Sequence, residues 1–436
     1  MHIYFSGIGG AGTGPLALIA KQAGYSVSGS DKQDSSYINY LRKHGIDGVH
    51  IGQTRQAIAA IHDNNPIDWF VYSSAVSIEN NDAPELRFCR EQKIKMSKRD
   101  EFINLILRDK KLRLIAIAGT HGKTTTTAMS VWLFKQLGEP LSYLLPAKTN
   151  FADMGHYEPG SKFFVYECDE FDRNFLAFEP YFSVISGVSW DHHEIYKTRE
   201  DYQAAFREFI SQSQHTTMWQ EDYDYLNIEA PLNIYVQADN DPLIDSLLTL
   251  RGRYNRLDAW LSIMTVQKIT RSPLAGLIKS MNDFPGLSRR MEEIIPGLYS
   301  DYAHTPEKIR GAMSVALEMA QDSKKQLIVV YEPLTDRRQH YMLDDYKDCF
   351  NGASKVYWVP SYLAREDPTQ RVLSPEELIT HLSDPTIAEP AKRGEKLKRI
   401  IRDHLSNGHM VVAMAGGGGG SLDDWLREEF KSPGIK

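Results

Sequence analysis

Short apolar runs alternate with longer amphipathic segments along most of the chain. Runs rich in β-branched and aromatic residues begin at residue 2, at residue 113 and near residue 297, and segments of helix formers follow them. Alternation of this kind predicts parallel strands with helices packed on both faces of each sheet. The chain has 436 residues, which is too many for a single core. The pattern therefore predicts an α/β protein built from three modules.

Two stretches interrupt this alternation and predict the domain boundaries. The first is the charged stretch LRDKKLR at 107–113, and the second is FPGLSRRMEEI at 284–294. We expect an N-terminal domain over 1–108, a central domain over 109–294 and a C-terminal domain over 295–436.

Composition and charge narrow the classes of partner. Hydrophobic residues make up 42% of the chain and charged residues 25%, with a formal net charge of −7. A negative chain has no general attraction to nucleic acid or anionic membranes, so we expect neither as a partner. Net charge and composition do not determine the oligomeric state, for which we expect a monomer or homodimer. No apolar run approaches a membrane span in length, and the start MHIYFSGIGG has no basic leader, which favours the cytoplasm. The three cysteines are widely separated, so we expect reduced thiols.

The stretch RLIAIAGTHGKTTTT at 113–127 joins an apolar strand to a helix through a glycine turn. The backbone N–H groups of such a turn and the helix dipole face an anion, which is typical of a phosphate cradle. Lys123 would reach the outer phosphates, and the hydroxyl of Thr124 or Thr125 would lie beside Mg²⁺. The spacing GxxGKT is shorter than the common GxxxxGK[ST], but the preceding strand supports the same interpretation.

A second glycine turn follows the first strand of the chain. Gly7, Gly9 and Gly12 stand in the order G-x-G-x-x-G, and Asp31 ends the next strand, where an acid would meet a ribose hydroxyl. Alone, this turn predicts a site for a nucleotide diphosphate such as NAD or FAD. A simple dehydrogenase does not need a second phosphate cradle. The two turns together therefore indicate one nucleotide as the energy source and another as part of the substrate.

Carboxylates and histidines follow two later apolar runs, SKFFVYE at 161–167 and YFSVISGVSW at 181–190. The carboxyl ends of parallel strands meet at one edge of a sheet, so both groups are expected near one site, where oxygen ligands would suit Mg²⁺. A solvated acidic loop and polar capping are the alternatives. The residues are Glu167, Asp169, Glu170 and Asp172 after the first run, and Asp191, His192, His193 and Glu194 after the second.

The order of these motifs resembles the Mur ligase family, the ATP-dependent amino-acid ligases of peptidoglycan synthesis. The resemblance runs through nearly the whole chain, in GIGGAGTGPLA, GSD, SSAV, AGTHGKTTTT, ECDEFD, DHHEIY, GRYNRLDA, FPGLSRR and DYAHTPEKI. It implies a Rossmann-like N-terminal domain for a UDP-sugar and a central P-loop mononucleotide-binding α/β domain for ATP. It also implies a C-terminal Rossmann-like α/β domain that closes over both and admits the amino acid.

The branch of the family that the chain looks most similar to joins L-alanine to the lactyl carboxylate of UDP-N-acetylmuramate through an acyl phosphate, with ATP and Mg²⁺. The resemblance then implies the following roles. The UDP-sugar would be bound by Gly7, Gly9, Gly10, Gly12, Asp31, Ser73 and Ser74. ATP would be bound by Gly119, Thr120, His121, Gly122, Lys123, Thr124, Thr125 and Asn255, and the metal by Thr124, Glu167 and His192. Catalysis would involve Lys123, His192, Asp301, His304 and Arg290, with Arg289 as the alternative arginine.

Several residues depart from the family's pattern. Gly187 and Asp258 stand where asparagines are usual, and LTDRRQHY at 334–341 and GGGGGS at 416–421 replace other motifs. These departures leave ATP use intact and concern mainly the amino-acid site. Three alternatives therefore stay open: a ligase that attaches a recycled tripeptide, a catalytically silent nucleotide-binding protein of this fold, and a nicotinamide dehydrogenase.

Overall fold

A computed structural model describes residues 1–10, 12–72, 82–192, 195–229, 233–363, 370–417 and 419–430, without the side chains of 36, 337 and 338. The chain forms two compact units. One comprises Met1–Leu247 and Asp258–Phe284, and the other comprises Leu248–Leu257 and Pro285–Lys436. Each unit is described by itself.

The first sheet of the larger unit is parallel, with the strand order β3-β2-β1-β4-β5. The order reverses beside β1, so the turn that follows β1 opens at the position where α/β sheets bind ligands. Its elements are β1 (His2–Ser6), α1 (Thr13–Gln22), β2 (Ser26–Asp31), α2 (Ser36–Lys43), β3 (Gly48–Ile51), α3 (Arg55–Asn64), β4 (Trp69–Tyr72), α4 (Pro84–Glu91), β5 (Lys95–Lys98) and α5 (Arg99–Asp109).

The second sheet of this unit has the order β12-β11-β10-β6-β9-β7-β8, parallel except for the short β8, which pairs antiparallel with β7. β6 lies between β10 and β9, so the segments that leave these three strands meet at one edge. The elements are β6 (Arg113–Ala118), α6 (Lys123–Gln136), β7 (Leu141–Leu144), β8 (Gly155–His156), β9 (Phe163–Glu167), β10 (Phe182–Ile185), α7 (Arg199–Gln212), β11 (Thr216–Trp219), α8 (Gln220–Leu226), β12 (Ile234–Gln237), α9 (Arg253–Thr270) and α10 (Leu274–Asn282). The first residues of α9, up to Leu257, belong to the smaller unit.

One apolar core joins these two sheets. Leu114 and Ala116 on β6 belong to the same buried cluster as Phe102 and Ile103 on α5 and Ile3 on β1. Burial of this continuous apolar surface stabilises both sheets together.

The smaller unit contains the third sheet, with the order β13-β14-β18-β15-β16-β17. All of its pairings are parallel except that between β13 and β14. The elements are β13 (Glu292–Ile295), β14 (Leu298–Asp301), α11 (Pro306–Asp322), β15 (Leu327–Glu332), α12 (Asp336–Met342), β16 (Lys355–Trp358), α13 (Pro375–Ile379), β17 (Ala388–Pro390), α14 (Glu395–Ser406), β18 (Met410–Ala415) and α15 (Leu422–Glu429).

The α/β fold with three sheets confirms the predicted fold class. The third sheet was predicted to begin near residue 297, but β13 precedes that point as an antiparallel edge strand. The loop between β13 and β14 contains Gly297 at φ +86°, a conformation that glycine adopts without strain. Because β13 begins with two charged residues, a search for apolar runs does not detect this edge strand. Among the described residues, no helix is both long and apolar enough to cross a membrane.

Candidate active site

The turn between β6 and α6 requires glycine at two positions. Gly119 has φ +141° and Gly122 has φ +75°, both in the left-handed region. A Cβ atom on Gly119 would lie 2.5 Å from Ser186 Oγ, and one on Gly122 would lie 2.4 Å from Asp258 Oδ1. Gly122 is the N-cap of α6 and supplies no side-chain cap. The first N–H groups of α6 therefore remain able to bind an anion.

Thr120 fixes this turn to the end of β10. Its N–H donates to Gly187 O at 2.8 Å, and its hydroxyl donates to Ser189 O at 2.8 Å and accepts from Ser189 N at 2.9 Å. The hydroxyl oxygen of Tyr202 lies 2.8 Å from the hydroxyl oxygen of Thr120. These bonds hold the backbone of the turn in place before any ligand arrives.

Gly187, the first departure from the family's pattern, faces His121. A Cβ atom on Gly187 would lie 2.1 Å from His121 Cε1, and Gly187 has φ +153°. The His121 ring thus occupies the space that a side chain at position 187 would need. The second departure, Asp258, is buried against Gly122 in the same turn.

Lys123 folds back over the turn and pairs with a buried acid. Its Nζ donates to Gly119 O at 2.5 Å and to Glu170 Oε2 at 2.7 Å. Burial alone would lower the pKa of Lys123, but the carboxylates of Glu170, Asp169 and Glu167 outweigh it and raise this pKa. Burial likewise favours neutral Glu170, but Lys123 and His192 lower its pKa to about 2. Both members of the pair are therefore charged at neutral pH.

Oxygen donors of the kind that Mg²⁺ prefers surround this pair, together with one histidine nitrogen. The Thr124 hydroxyl donates to Glu167 Oε2 at 2.8 Å, which joins two of the predicted metal ligands. The third, His192, has one ligand atom within 4.8 Å of ligand atoms of Asp169 and Glu170. Glu170 Oε1 is buried without a hydrogen-bond partner among the described residues and lies 3.6 Å from His192 Nε2. An unsatisfied carboxylate oxygen among such donors fits a divalent cation.

Sequence reasoning gave Glu170 no individual role, although it noted the acid. The feature that could have indicated a role for Glu170 is its position three residues after Glu167, in a segment that continues as a 3₁₀ helix from Phe171 to Ala177.

Thr125 is buried in the first turn of α6, one residue beyond Thr124. His193 and Glu194 lie outside the described residues.

The predicted UDP-sugar residues meet at the end of the first sheet. Gly7 has φ +77° and its N–H donates to Ser30 O at 2.8 Å, while Gly10 N donates to Gly7 O at 3.1 Å. Asp31 Oδ2 accepts from Gly9 N at 2.8 Å, so the acid supports the turn itself. Gly12 follows as the N-cap of α1. Ser73 and Ser74 lie outside the described residues.

In the smaller unit, Asp301 ends β14 and Arg290 precedes β13. Asp301 accepts from Met291 N at 3.0 Å and from Ala303 N at 2.9 Å. Burial raises the pKa of Asp301, and Arg290 opposes that shift. The guanidinium groups of Arg290 and Arg289 lie 5.3 and 4.6 Å from the centre of the Tyr302 ring.

His304 and Asn255 belong to the same unit. His304 Nδ1 donates to Tyr302 O at 2.8 Å, and a Cβ atom on Gly416 would lie 2.4 Å from its ring. The glycine run after β18 thus leaves room for His304. Asn255, predicted for adenine, donates from Nδ2 to Arg251 O at 2.8 Å.

Known proteins resemble the chain over nearly its whole length. Residues 2–111 match the model of the Mur ligase family catalytic domain, and residues 117–231 match the Mur ligase middle domain. A UDP-N-acetylmuramate--L-alanine ligase of Clostridium beijerinckii is 30% identical over 411 residues, which is 86% of this chain and 86% of the relative. One of Caldicellulosiruptor bescii is 28% identical over 399 residues, covering 83% of this chain and 84% of the relative.

Solved structures show the same fold. A UDP-N-acetylmuramate-alanine ligase of Thermotoga maritima superposes with a TM-score of 0.75 at 22% identity over 98% of both chains. A murein peptide ligase of Psychrobacter arcticus gives 0.66 at 19% identity over 100% of both chains. The predicted resemblance is thereby confirmed: the chain belongs to the Mur ligase family of ATP-dependent ligases.

Proposed function

We propose that the protein joins L-alanine to the lactyl carboxylate of UDP-N-acetylmuramate at the expense of ATP, as a step of peptidoglycan synthesis in the cytoplasm. The observation that carries the proposal is the charged Lys123 on a glycine turn, beside the oxygen donors of Thr124, Glu167 and Glu170. A second glycine turn, at Gly7–Gly12, lies in the same compact unit. The relatives that act on this substrate cover most of the chain.

Phosphoryl transfer depends on positioning and on stabilisation of charge at the γ-phosphate. The N–H groups at the start of α6 bind phosphate oxygens, and the Lys123 ammonium exchanges Glu170 for the β and γ phosphates. The Glu170 contact keeps the ammonium charged before ATP arrives, and the phosphates must displace this carboxylate to reach it.

Thr124 and Glu167, with Asp169, Glu170 and His192, would hold Mg²⁺. When bound, the ion neutralises charge on the phosphates and orients them. His192 in that role could not also serve as a general base, because its ligand nitrogen would no longer accept a proton.

The reaction then has two steps. The lactyl carboxylate attacks the γ-phosphorus, and the bond between that phosphorus and the β–γ bridging oxygen breaks. The products of this step are ADP and an acyl phosphate. The α-amine of alanine attacks the acyl carbon, loses a proton, and expels phosphate as the amide forms. Asp301, His304 and Arg290 of the smaller unit are the proposed residues for the nucleotide and amino-acid side of this second step.

The test is phosphate release by the purified protein with ATP, Mg²⁺ and UDP-N-acetylmuramate. L-alanine, L-serine, glycine and the tripeptide L-alanyl-γ-D-glutamyl-meso-diaminopimelate are supplied one at a time. We expect phosphate release when L-alanine is the acceptor and with none of the other three acceptors. Release with the tripeptide would assign the protein to peptide recycling, and no release with any acceptor would leave a nucleotide-binding protein without this activity.

A further inference from the structure

Two positively charged side chains lie where β5 meets α5, outside the candidate active site described above. Lys98 ends β5 and Arg99 begins α5, at the carboxyl end of a strand of the first sheet. Lys98 Nζ lies 2.5 Å from Asp172 Oδ2, so its charge is already compensated. Arg99 is different.

The guanidinium of Arg99 has donors that the protein does not use. Its side chain is 28% exposed, and its ion pair within the described residues joins Nε to Asp100 Oδ1 at 3.7 Å, beyond hydrogen-bond distance. It donates no hydrogen bond to any residue in the described ranges. A guanidinium carries five N–H donors. None of the Arg99 nitrogens is among the described buried atoms that lack a partner, so the unused donors face solvent and are open to an acceptor from outside the chain.

The position of Arg99 identifies the acceptor. A Cβ atom on Gly12 would lie 2.3 Å from Arg99 Nη1, so the guanidinium rests directly on the last glycine of the Gly7–Gly12 turn. Glu167 and Asp169, on the ATP side of the unit, interact electrostatically with the same guanidinium. These carboxylates repel an anion, whereas Gly12 is the N-cap of α1, where the positive end of the helix dipole attracts one.

We propose that Arg99 binds the diphosphate of the UDP-sugar, with its guanidinium beside Gly12 at the N-terminus of α1. The inference rests on the proposed function for the identity of the nucleotide. Two N–H groups of the fork bind two phosphate oxygens, a geometry that a lysine cannot reproduce. Gly12 has no side chain because one would displace this guanidinium from the turn.

The test is isothermal titration calorimetry with three ligands: UDP, UDP-N-acetylmuramate and ATP. The proteins are the full-length wild type, Arg99→Ala, Arg99→Lys and the control Arg108→Ala. Arg108 is exposed near the other end of the same helix. Loss of a charge-assisted pair weakens binding roughly 10–100-fold, so we expect this change in Kd for UDP and UDP-N-acetylmuramate in Arg99→Ala. Arg99→Lys should recover part of it, and the Kd for ATP should change much less than the Kd for UDP, because Arg99 acts on the ATP side only through its electrostatic interaction with Glu167 and Asp169.

Other outcomes overturn the inference. Unchanged UDP binding in Arg99→Ala would make the arginine a structural contact, and weakening for UDP-N-acetylmuramate but not for UDP would place it on the sugar's carboxylate. A wild type that binds UDP but not UDP-N-acetylmuramate would reject the proposed function and leave the Arg99 assignment to be decided by UDP. If Arg99→Ala does not fold, Gly12→Ala serves instead: its Cβ meets the end of a flexible side chain, so the variant should fold and show the same selective loss of UDP binding. Normal UDP binding in a folded Gly12→Ala would count against the proposal.

Discussion

Lys123 and Glu170 form a buried ion pair, with Nζ 2.7 Å from Oε2, at the turn that is proposed to bind ATP. Glu170 is fully buried and the Lys123 side chain is 13% exposed. The pair keeps the ammonium charged in a place where burial alone would disfavour it. The nucleotide must therefore compete with Glu170 for Lys123, and the stability and activity of the protein are linked at this contact.

Lys123→Ala should lower both activity and stability. Loss of phosphate stabilisation should reduce kcat/KM by roughly 10³-fold or more. The Glu170 carboxylate would be left buried without its partner, which costs about 3–5 kcal/mol. Phosphate release and urea unfolding measure the two effects.

The double variant Lys123→Ala/Glu170→Gln separates these effects, because it removes the stranded charge. It should regain much of the stability and none of the activity. Lys135→Ala is the matched control, since Lys135 is exposed on the same helix about 18 Å away at 1.5 Å per residue. Recovery of activity in the double variant would show that Lys123 is not the phosphate-binding cation.

Thr124→Val should raise the requirement for Mg²⁺. The substitution keeps the shape of the side chain and removes the hydroxyl that contacts Glu167. Half-saturation of activity should need roughly 10–100-fold more Mg²⁺. Thr127→Val is the control, because it removes a hydroxyl from the same helix that donates to Lys123 O at 2.8 Å and not to a proposed metal ligand. Equal effects in the two variants would point to helix stability rather than metal binding.

Gly187→Asn, which introduces the residue usual in the family, should impair ATP use. The new side chain would meet the His121 ring, and asparagine would be strained at the φ of +153° that Gly187 adopts, so the turn shifts. A shift of this size can cost about 10²-fold in kcat/KM. Gly138→Asn is the control, with φ +69° and open space around its Cβ position. Adding His121→Ala should restore part of the loss, and no recovery would show that backbone strain alone is responsible.

Asp222 should make the stability of the wild type fall as the pH rises. Burial raises the pKa of Asp222 from 3.8 to about 7, although Asp222 Oδ1 accepts from Val188 N at 2.8 Å. Between about pH 4 and pH 7 the folded protein keeps a proton that the unfolded chain releases, so the free energy of unfolding decreases by up to about 4 kcal/mol. Asp222→Asn should lack this decrease.

Urea unfolding of both proteins across this pH range measures the difference, which should grow as the pH rises. Asp224→Asn, exposed on the same helix, should follow the wild type. A constant difference between Asp222→Asn and the wild type would show that Asp222 titrates alike in the folded and unfolded states.

The amino-acid sequence alone determined the parts of this protein that depend on neighbours along the chain. A β-branched run followed by Gly119, Gly122 and Lys123 predicts a strand, a left-handed turn and a helix start, because φ preferences and strand burial are local. Alternation of such units predicted the α/β class, and the strand ends placed acids near the turn.

The tertiary structure decided which acid meets Lys123 and which residues face each glycine. Glu170 rather than Glu167 pairs with the ammonium, His121 fills the space beside Gly187, and Asp258 reaches Gly122 from a helix far along the chain. Arg99 meets Gly12 in the same way, and each of these contacts joins residues on different elements. The order of the strands and the packing of helices on them set such contacts, and hydrophobic periodicity does not encode which neighbour each strand receives.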